Sequence, residues 1–264
     1  MKQEQLEKFK EWFDDYVAGF YGDDEYINAN IRLKDEHSRR VCEEMAYLAG
    51  ELGLDENQRL IADTVALFHD IGRFRQFKEY QTYHDPRSLN HCILGLEVLA
   101  EYDVLAGVEA DEREMIVKAI EYHGQKELPA GLDGDCLLYC RMIRDVDKVD
   151  IFYIVVVNYE AYEADPEGFK LEVELPDEPW YSPEVVGAVL DGQRVDYSKL
   201  ATWNDMKLCQ LSWVYDVNFA ATLKRVKEEK YLEKIFDFLP SDGDIEKVKG
   251  KIFGYVDSRI RQGF

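Results

Sequence analysis

Apolar residues recur every three or four positions along most of this chain, which is the spacing that places them on one face of an α-helix. The first predicted helix has such a face, formed by Leu6, Phe9, Phe13, Tyr16 and Phe20. The same spacing predicts further helices over residues 35–52, 55–72, 88–102, 111–124 and 135–159. The pattern therefore predicts an all-α fold.

Two pairs of residues support the predicted helix starts. Asp55 with Gln58, and Asp111 with Glu114, have the spacing of a capping box, in which side chains satisfy backbone N–H groups at a helix start. Residues 151–157 are rich in residue types that favour strands. Because no turn signal precedes them, we predict that they continue the helix that begins near residue 135.

The C-terminal part of the chain has a different pattern. Four of the seven prolines lie between residues 166 and 183, and this density predicts an irregular surface segment. Helical spacing resumes near Thr202, with Pro240 and Gly243 between the last two helices. We predict one all-α domain, with a helical core over about residues 31–160 and a helical C-terminal extension over about residues 161–264.

The 264-residue chain is strongly acidic, with 54 Asp and Glu residues against 32 Lys and Arg residues and a formal net charge of −22. With 46% hydrophobic residues it can bury a sizeable core. Its charge would repel polymeric nucleic acid and anionic membranes, so we expect neither as a partner. We expect a small anionic ligand that meets a local group of basic side chains.

The N-terminal segment and the cysteines indicate a cytoplasmic protein. The first residues are charged and lack the apolar region of a secretory signal. The longest apolar run, residues 151–157, is too short to span a bilayer. The five cysteines form no Cys-x-x-Cys pair, so we expect reduced thiols that pack as small hydrophobic residues.

Four of the five histidines lie on apolar helix faces near a helix end: His37, His69, His91 and His123. Asp70 directly follows His69, and Asp145 has a similar place on the sixth helix. The alternative is four independent core histidines, each with its own hydrogen-bond partner. Buried carboxylates are costly unless they are paired or coordinated, so we expect all six side chains to converge on one metal site.

The expected ligands are imidazole nitrogens and carboxylate oxygens with no thiolate nearby. This set favours Fe, Mn, Co, Ni or Zn over a structural cysteine–zinc site, and Mg also remains open. Six protein ligands are too many for one catalytic ion that keeps an open position. They fit two divalent ions about 3.5–4 Å apart that share a bridging carboxylate. Asp70 is the natural bridge.

Five segments, in this order, resemble the HD-domain superfamily of metal-dependent phosphohydrolases: Glu36–Ser38, Phe68–Arg73, Asn90–Cys92, Glu121–His123 and Arg144–Lys148. The resemblance covers about residues 35–154. Because the chain has both His91 and His123, it resembles the two-metal branch of this superfamily.

The resemblance implies a ligand set for each ion. The first ion would be held by His37, His69, Asp70 and Asp145. The second would be held by Asp70, His91 and His123. His69 and Asp70 are the expected catalytic residues. Helical spacing alone does not separate Asp145 from Asp147 or Asp150, so the last ligand stays open.

The resemblance also implies that a metal-activated water attacks a small phosphate ester, either a nucleotide-like monoester or a diester. Basic side chains between residues 71 and 90 are expected to meet the phosphate: Arg73, Arg75, Lys78 and Arg87. Arg73 and Lys78 are the favoured contacts, with Lys148 as a third, and a solvated surface charge is the alternative for each. His84 is a candidate proton donor to the leaving group, or an ordinary loop histidine.

Two other functions fit the same residues. An HD-type di-iron oxygenase would use nearly the same ligands on a small organic substrate. A sensor would bind a nucleotide without turnover, although a module without catalysis has little need of a complete ligand set. The sequence leaves the substrate, the native metals and the oligomeric state open.

Overall fold

A computed structural model of the protein describes residues 1–132, 134–166 and 175–263. Within these ranges the chain is helical and has no β-strand, which confirms the predicted all-α fold. The α-helices of these ranges are α1 Gln3–Ala18, α2 Glu25–Glu51, α3 Glu56–Phe68, α4 Ile71–Tyr80, α5 His91–Glu101, α6 Ala110–Tyr122, α7 Gly134–Ala164, α8 Pro183–Leu190, α9 Trp203–Ser212, α10 Ala220–Glu228, α11 Tyr231–Asp237 and α12 Gly243–Gln262.

The chain divides into two compact units, Met1–Asp147 and Lys148–Phe264. The division lies within α7, and so does the predicted end of the core near residue 160. Each unit has its own set of buried apolar side chains. All six predicted metal ligands belong to the first unit.

Aromatic side chains of α1 close the core of the first unit. Phe9 meets Phe68 of α3 with ring centroids 5.7 Å apart, and Phe13 meets Phe74 of α4 at 5.9 Å, both edge to face. Behind them, α2 packs along α3 and α4 packs along α5. These contacts bury the junction of α3 and α4, where His69 and Asp70 lie.

Helix α2 begins at Glu25, well before the predicted start near Asp35. The side chain of Asp24 caps it by accepting hydrogen bonds from the backbone N–H groups of Tyr26 and Ile27. In the added turns only Ile31 is fully buried, so the apolar pattern there is too sparse to reveal a helix. The earlier start places Lys34 within the helix, one turn before His37.

The segment after Asp70 also differs from the prediction. The predicted helix over 55–72 ends at Phe68, and a new helix, α4, occupies the first half of the expected loop between residues 71 and 90. Gln81 ends α4 in the left-handed region, with a φ of 51°. His69 and Asp70 are therefore at a junction between two helices, where the chain changes direction inside the core.

The two predicted capping boxes have different outcomes. Asp55 and Gln58 form theirs at the start of α3. Helix α6 begins at Ala110 with Glu109 as its N-cap residue, two residues before Asp111, so Asp111 and Glu114 are not placed to form a box. The Asp-x-x-Glu spacing thus correctly predicted that a helix starts here, but not the residue at which it starts.

The second unit is built around the end of α7. Residues 151–157 are helical, as predicted, and Phe152 packs against Trp213 with ring centroids 5.6 Å apart. Of the predicted irregular segment, residues 167–174 lie outside the described residues, and residues 175–182 contain no helix. Helix α8 then begins at Pro183, a position where the missing N–H of proline costs nothing.

Helix α7 is the longest described helix, with 31 residues, and charged side chains interrupt its sequence. Among the described helices, none combines the length and the apolar composition that crossing a bilayer requires.

Helices α4 and α5 lie in close backbone contact at Gly72. A methyl group at this position would lie 2.5 Å from the backbone nitrogen of Gly95 and closer still to the carbonyl oxygen of His91. Both obstacles are backbone atoms, which cannot rotate away as a side chain would. Only glycine therefore allows this crossing, and the crossing joins the segment of Asp70 to that of His91.

We expect Gly72→Ala to lower the free energy of unfolding by about 1–3 kcal/mol or more, because the added methyl group must separate two helix backbones. Urea denaturation of the purified protein measures this change.

Gly50→Ala is the matched control, because a methyl group there would meet no atom within 4 Å and the residue lies in α2. It should leave stability unchanged or raise it by up to about 1 kcal/mol. Equal destabilisation by both substitutions would show that the close crossing at Gly72 does not cause the loss of stability.

Candidate metal centre

The four histidines predicted as ligands are buried together in the first unit, with exposed fractions of 0% for His37 and His69, 6% for His91 and 7% for His123. His69 directly follows α3, His91 begins α5 and His123 directly follows α6. His37 lies within α2. Three helix ends and one helix face thus supply the imidazole groups of the site.

The first cluster of donors consists of His37, His69 and one oxygen of Asp70. The Nε2 atoms of the two histidines are 3.2 Å apart. Oδ2 of Asp70 lies 3.4 Å from Nε2 of His37 and 3.8 Å from Nε2 of His69. These three donors lie close enough together to hold a metal ion.

The second cluster contains His91, His123 and the other oxygen of Asp70. The Nε2 atoms of these histidines are 3.1 Å apart. Oδ1 of Asp70 lies 3.6 Å from each of them. The two oxygens of one carboxylate therefore face two separate pairs of imidazole nitrogens, which is the arrangement of a bridging ligand.

The spacing of the donors fits coordination. Metal–nitrogen bonds of about 2.0–2.1 Å in a tetrahedral site place neighbouring ligand atoms about 3.3 Å apart. The two Nε2 pairs, at 3.2 and 3.1 Å, are close to that separation. The predicted residues thus fit two ions that share Asp70.

Hydrogen bonds at Nδ1 also prepare three of the rings to bind metal through Nε2. Nδ1 of His69 donates to the carbonyl oxygen of Ala66 at 2.8 Å, and Nδ1 of His123 donates to that of Ile120 at 2.7 Å. Because a carbonyl oxygen can only accept, Nδ1 carries a proton in each ring, and Nε2 is the nitrogen that can bind a metal ion once it is deprotonated. Such outer contacts fix the orientation of metal-binding imidazoles.

The third ring, that of His91, is held by a carboxylate. Its Nδ1 donates to Oδ2 of Asp85 at 2.7 Å. Oδ1 of Asp85 accepts hydrogen bonds from Gln76 at 2.8 Å and from Arg73 at 3.0 Å. Although burial opposes ionisation, hydrogen bonds from His91 and Gln76 lower the pKa of Asp85 to about 2. Asp85 was not among the residues predicted for the site.

The last carboxylate near the first cluster comes from Asp147. Its Oδ1 lies 3.4 Å from Nε2 of His37. Burial would raise the pKa of Asp147, but the hydrogen bond and charge of His37 hold it well below its usual range. Asp145 is fully buried two positions earlier in the same helix, and residues with this spacing project about 200° apart. The contact with His37 makes Asp147 a candidate ligand beside the predicted Asp145.

Two cations hold Asp70 from outside the donor clusters. Nζ of Lys34 lies 2.8 Å from Oδ2 of Asp70, and Nε of Arg73 lies 3.4 Å from Oδ1. Burial of Asp70 opposes ionisation, but the charge of Lys34, followed by those of His69 and Arg73, holds the pKa of Asp70 well below its usual range. Lys34 was missed because the predicted helix began one residue after it.

The structure gives different places to the remaining predicted contact residues. Arg73 is at the site, where Nη1 also donates to the carbonyl oxygen of Tyr83 at 2.6 Å. Lys78 is exposed at the end of α4, and His84 is exposed in the segment after it. Lys148 begins the second unit and forms an ion pair with Asp216 of the same unit at 2.9 Å.

A thiol also lies in the second cluster, where none was expected. Sγ of Cys92 is 3.4 Å from Nε2 of His91 and 3.5 Å from Nδ1 of His123. The expectation of a site without a nearby sulfur donor is therefore corrected. The signal in the sequence was the position of Cys92 directly after His91, which sequence reasoning assigned to packing.

Burial affects the ionisation of the histidines and of this thiol in different ways. Burial lowers the pKa of His69 to about 4, so the ring is neutral and able to bind metal at neutral pH. For Cys92, burial raises the pKa, but the charge of His123 outweighs this effect and brings it to about 6. His123 responds in the opposite direction, because attraction to Cys92 and Asp70 overcomes its burial and raises its pKa.

Comparison with known proteins identifies the family of this segment. Residues 35–151 match the family model described as HD domain. No curated protein and no solved structure matches the chain. The matched range contains all the donors described above, and their clusters fit a metal site of the HD type. Residues 35–151 therefore contain an HD domain, which indicates the superfamily of metal-dependent hydrolases.

Proposed function

We propose that this protein is a divalent-metal-dependent phosphohydrolase that acts on a small phosphate ester. The observation that carries the proposal is the position of Asp70, whose two carboxylate oxygens each lie 3.4–3.8 Å from a separate pair of histidine nitrogens. Hydrolases that use two ions about 3.5–4 Å apart need such a shared carboxylate.

The donors divide into two sets. We assign the first ion to His37, His69, Asp70 and Asp147, in place of the predicted Asp145. We assign the second ion to Asp70, His91 and His123, as predicted. Divalent ions in such a site supply Lewis acidity and lower the pKa of water towards about 7, which provides the attacking group.

The chain's own residues keep this site ready for chemistry. Lys34 and Arg73 keep Asp70 ionised, so both of its oxygens remain available as donors. Asp85 and the carbonyl oxygens of Ala66 and Ile120 hold three imidazole rings with Nε2 directed inward. No side-chain nucleophile is required, because water attacks phosphorus and the ester oxygen leaves.

Lys34 and Arg73 also supply positive charge that favours the binding of a phosphate substrate. Lys34 is 11% exposed and Arg73 is 15% exposed, so each reaches the edge of the buried site. Hydrogen bonds to Gln76, Tyr83 and Asp85 fix the guanidinium group of Arg73. In a chain with a net charge of −22, such fixed positive charge favours a small phosphate group over a polyanion. The expected cytoplasmic location and the roles of Lys78, His84 and Lys148 remain predictions.

The direct test is metal analysis of the purified protein, followed by phosphomonoester and phosphodiester substrates assayed with Mn, Co, Ni, Zn and Mg. We expect bound transition metal and release of phosphate or of a phosphate monoester. Oxygen consumption with a small organic substrate, without hydrolysis of any ester, would instead identify the oxygenase alternative.

His69→Ala should remove the first ion, and Asp70→Ala should remove both, because Asp70 serves both sets of donors. Each variant should lose hydrolysis while far-ultraviolet circular dichroism shows that helicity is retained. Metal content measured by mass spectrometry checks the prediction.

His84→Ala is the matched control for metal content, since His84 is exposed and is the one histidine that was not predicted as a ligand. Wild-type metal content in His69→Ala or Asp70→Ala would refute the assigned site.

Asp147→Asn and Asp145→Asn separate the two candidate carboxylates. Both substitutions keep the shape of the side chain and remove its charge. We expect Asp147→Asn to weaken binding of the first ion by about 10–100-fold or more, the range found even for outer-shell partners. Asp145→Asn should leave metal affinity unchanged. The reverse result in a metal titration would restore Asp145 as the ligand.

Lys34→Met and Arg73→Lys test the phosphate contacts. Loss of a hydrogen bond to a charged group costs about 1.5–3 kcal/mol, so kcat/KM for the best ester should fall about 10–150-fold. Lys78→Met, at an exposed position on the same helix as Arg73, should have a much smaller effect. An equal loss for Lys78→Met would mean that the substrate binds over the end of α4 instead.

A further inference from the structure

The proposed ligand sets leave Cys92 unused, although its thiol lies within the second cluster. Cys92 follows His91 in the first turn of α5 and is 2% exposed. Its Sγ is 3.4 Å from Nε2 of His91 and 3.5 Å from Nδ1 of His123. His91, Cys92 and His123 each offer a donor atom, and these three atoms lie within 4.8 Å of one another.

Packing as a small hydrophobic residue does not account for these contacts. Cys209 is a buried thiol of the second unit that lies among apolar side chains and donates a hydrogen bond to the carbonyl oxygen of Val195 at 3.7 Å. Cys92 instead faces Nε2 of His91, a proposed metal-binding atom, and Nδ1 of His123, the nitrogen that donates to Ile120. Metal bonds of about 2.3 Å to sulfur and 2.0–2.1 Å to nitrogen place the two ligand atoms about 3.5 Å apart in a tetrahedral site. The observed separation from Nε2 of His91 matches that value.

Gly124 keeps the thiol against the imidazole of His91. A methyl group at this position would lie 3.1 Å from both Sγ of Cys92 and Cε1 of His91. The backbone of the residue after His123 therefore packs directly over both side chains. This contact limits the positions that the thiol can take and leaves it beside its neighbouring donors.

We propose that Cys92 is a ligand of the second ion, together with His91, His123 and Asp70. On binding, the S–H bond breaks, a sulfur–metal bond forms and the proton passes to solvent. A set with one thiolate and two imidazoles selects a borderline-soft ion such as Zn²⁺ or Co²⁺ over Mg²⁺ or Mn²⁺. The first set has only nitrogen and oxygen donors, so the two positions differ in metal preference. This inference rests on the proposed two-ion site.

Cobalt titration of the metal-free protein tests the inference without measuring activity. Wild-type protein should develop a near-ultraviolet thiolate-to-cobalt charge-transfer band with only one of its two equivalents of Co²⁺. Cys92→Ser and Cys92→Ala should lose this band, keep the visible bands of the first ion and bind the second ion at least about 10-fold more weakly. Cys209→Ser, which removes a buried thiol of the other unit, should keep the band.

Each result of the titration is decisive. A band that persists in both Cys92 variants, or two bound Co²⁺ ions without any band in the wild type, overturns the role of Cys92 and leaves the proposed function standing. Wild-type protein that binds no Co²⁺ overturns the proposed function and this inference together. X-ray absorption of the zinc-loaded wild type should show a sulfur shell at about 2.3 Å that Cys92→Ser lacks, and its absence from the wild type counts against the proposal.

Discussion

The structure of the first unit depends on one buried carboxylate. Asp70 is 3% exposed and lies among four imidazole groups, in an environment that would ordinarily keep it protonated. Lys34 and Arg73 reverse this preference by supplying positive charge at contact distance to each of its oxygens. An unpaired buried carboxylate would cost several kcal/mol, so these partners are as necessary to the fold as they are to the site. The arrangement links stability and metal binding through the same group, because a bound ion adds further charge compensation at the place where the fold most needs it.

Helix ends determine where the donors lie. His69 and Asp70 are at the junction of α3 and α4, His91 begins α5 and His123 follows α6. At these positions backbone carbonyl oxygens near a helix end are free to accept hydrogen bonds, and those of Ala66 and Ile120 accept from imidazole Nδ1. The same backbone groups that lack partners in an isolated helix thus orient two of the metal-binding rings. His37 differs, since it is presented by the side of a long helix and meets Asp147 of α7.

Much of this architecture could be predicted from the sequence, because helical periodicity and histidine placement are local patterns. The convergence of His37, His69, Asp70, His91 and His123 followed from their inward faces. Lys34, Asp85 and Cys92 were missed for physical reasons that a local pattern does not contain. Lys34 lies in helical turns that have too few buried residues to indicate a helix. Asp85 acts through a hydrogen bond to the ring of His91, six residues away. Cys92 is recognised as part of the site only when His123 is seen beside it in the fold. Asp145 and Asp147 have similar apolar neighbours along the helix, so the contact of Asp147 with His37 could not be predicted from spacing.

Gly72 fixes the distance between Asp70 and the second pair of histidines, which the ligands alone would not do. The two halves of the site are joined where the backbone of α4 rests on the carbonyl oxygen of His91 and the nitrogen of Gly95. Main-chain atoms have no rotamers, so the separation between Asp70 and the second pair of histidines is set by a rigid stop rather than by the sizes of neighbouring side chains. In a distant relative whose overall sequence has drifted beyond detection, a glycine two residues after the aspartate of the His-Asp pair would be the mark to search for.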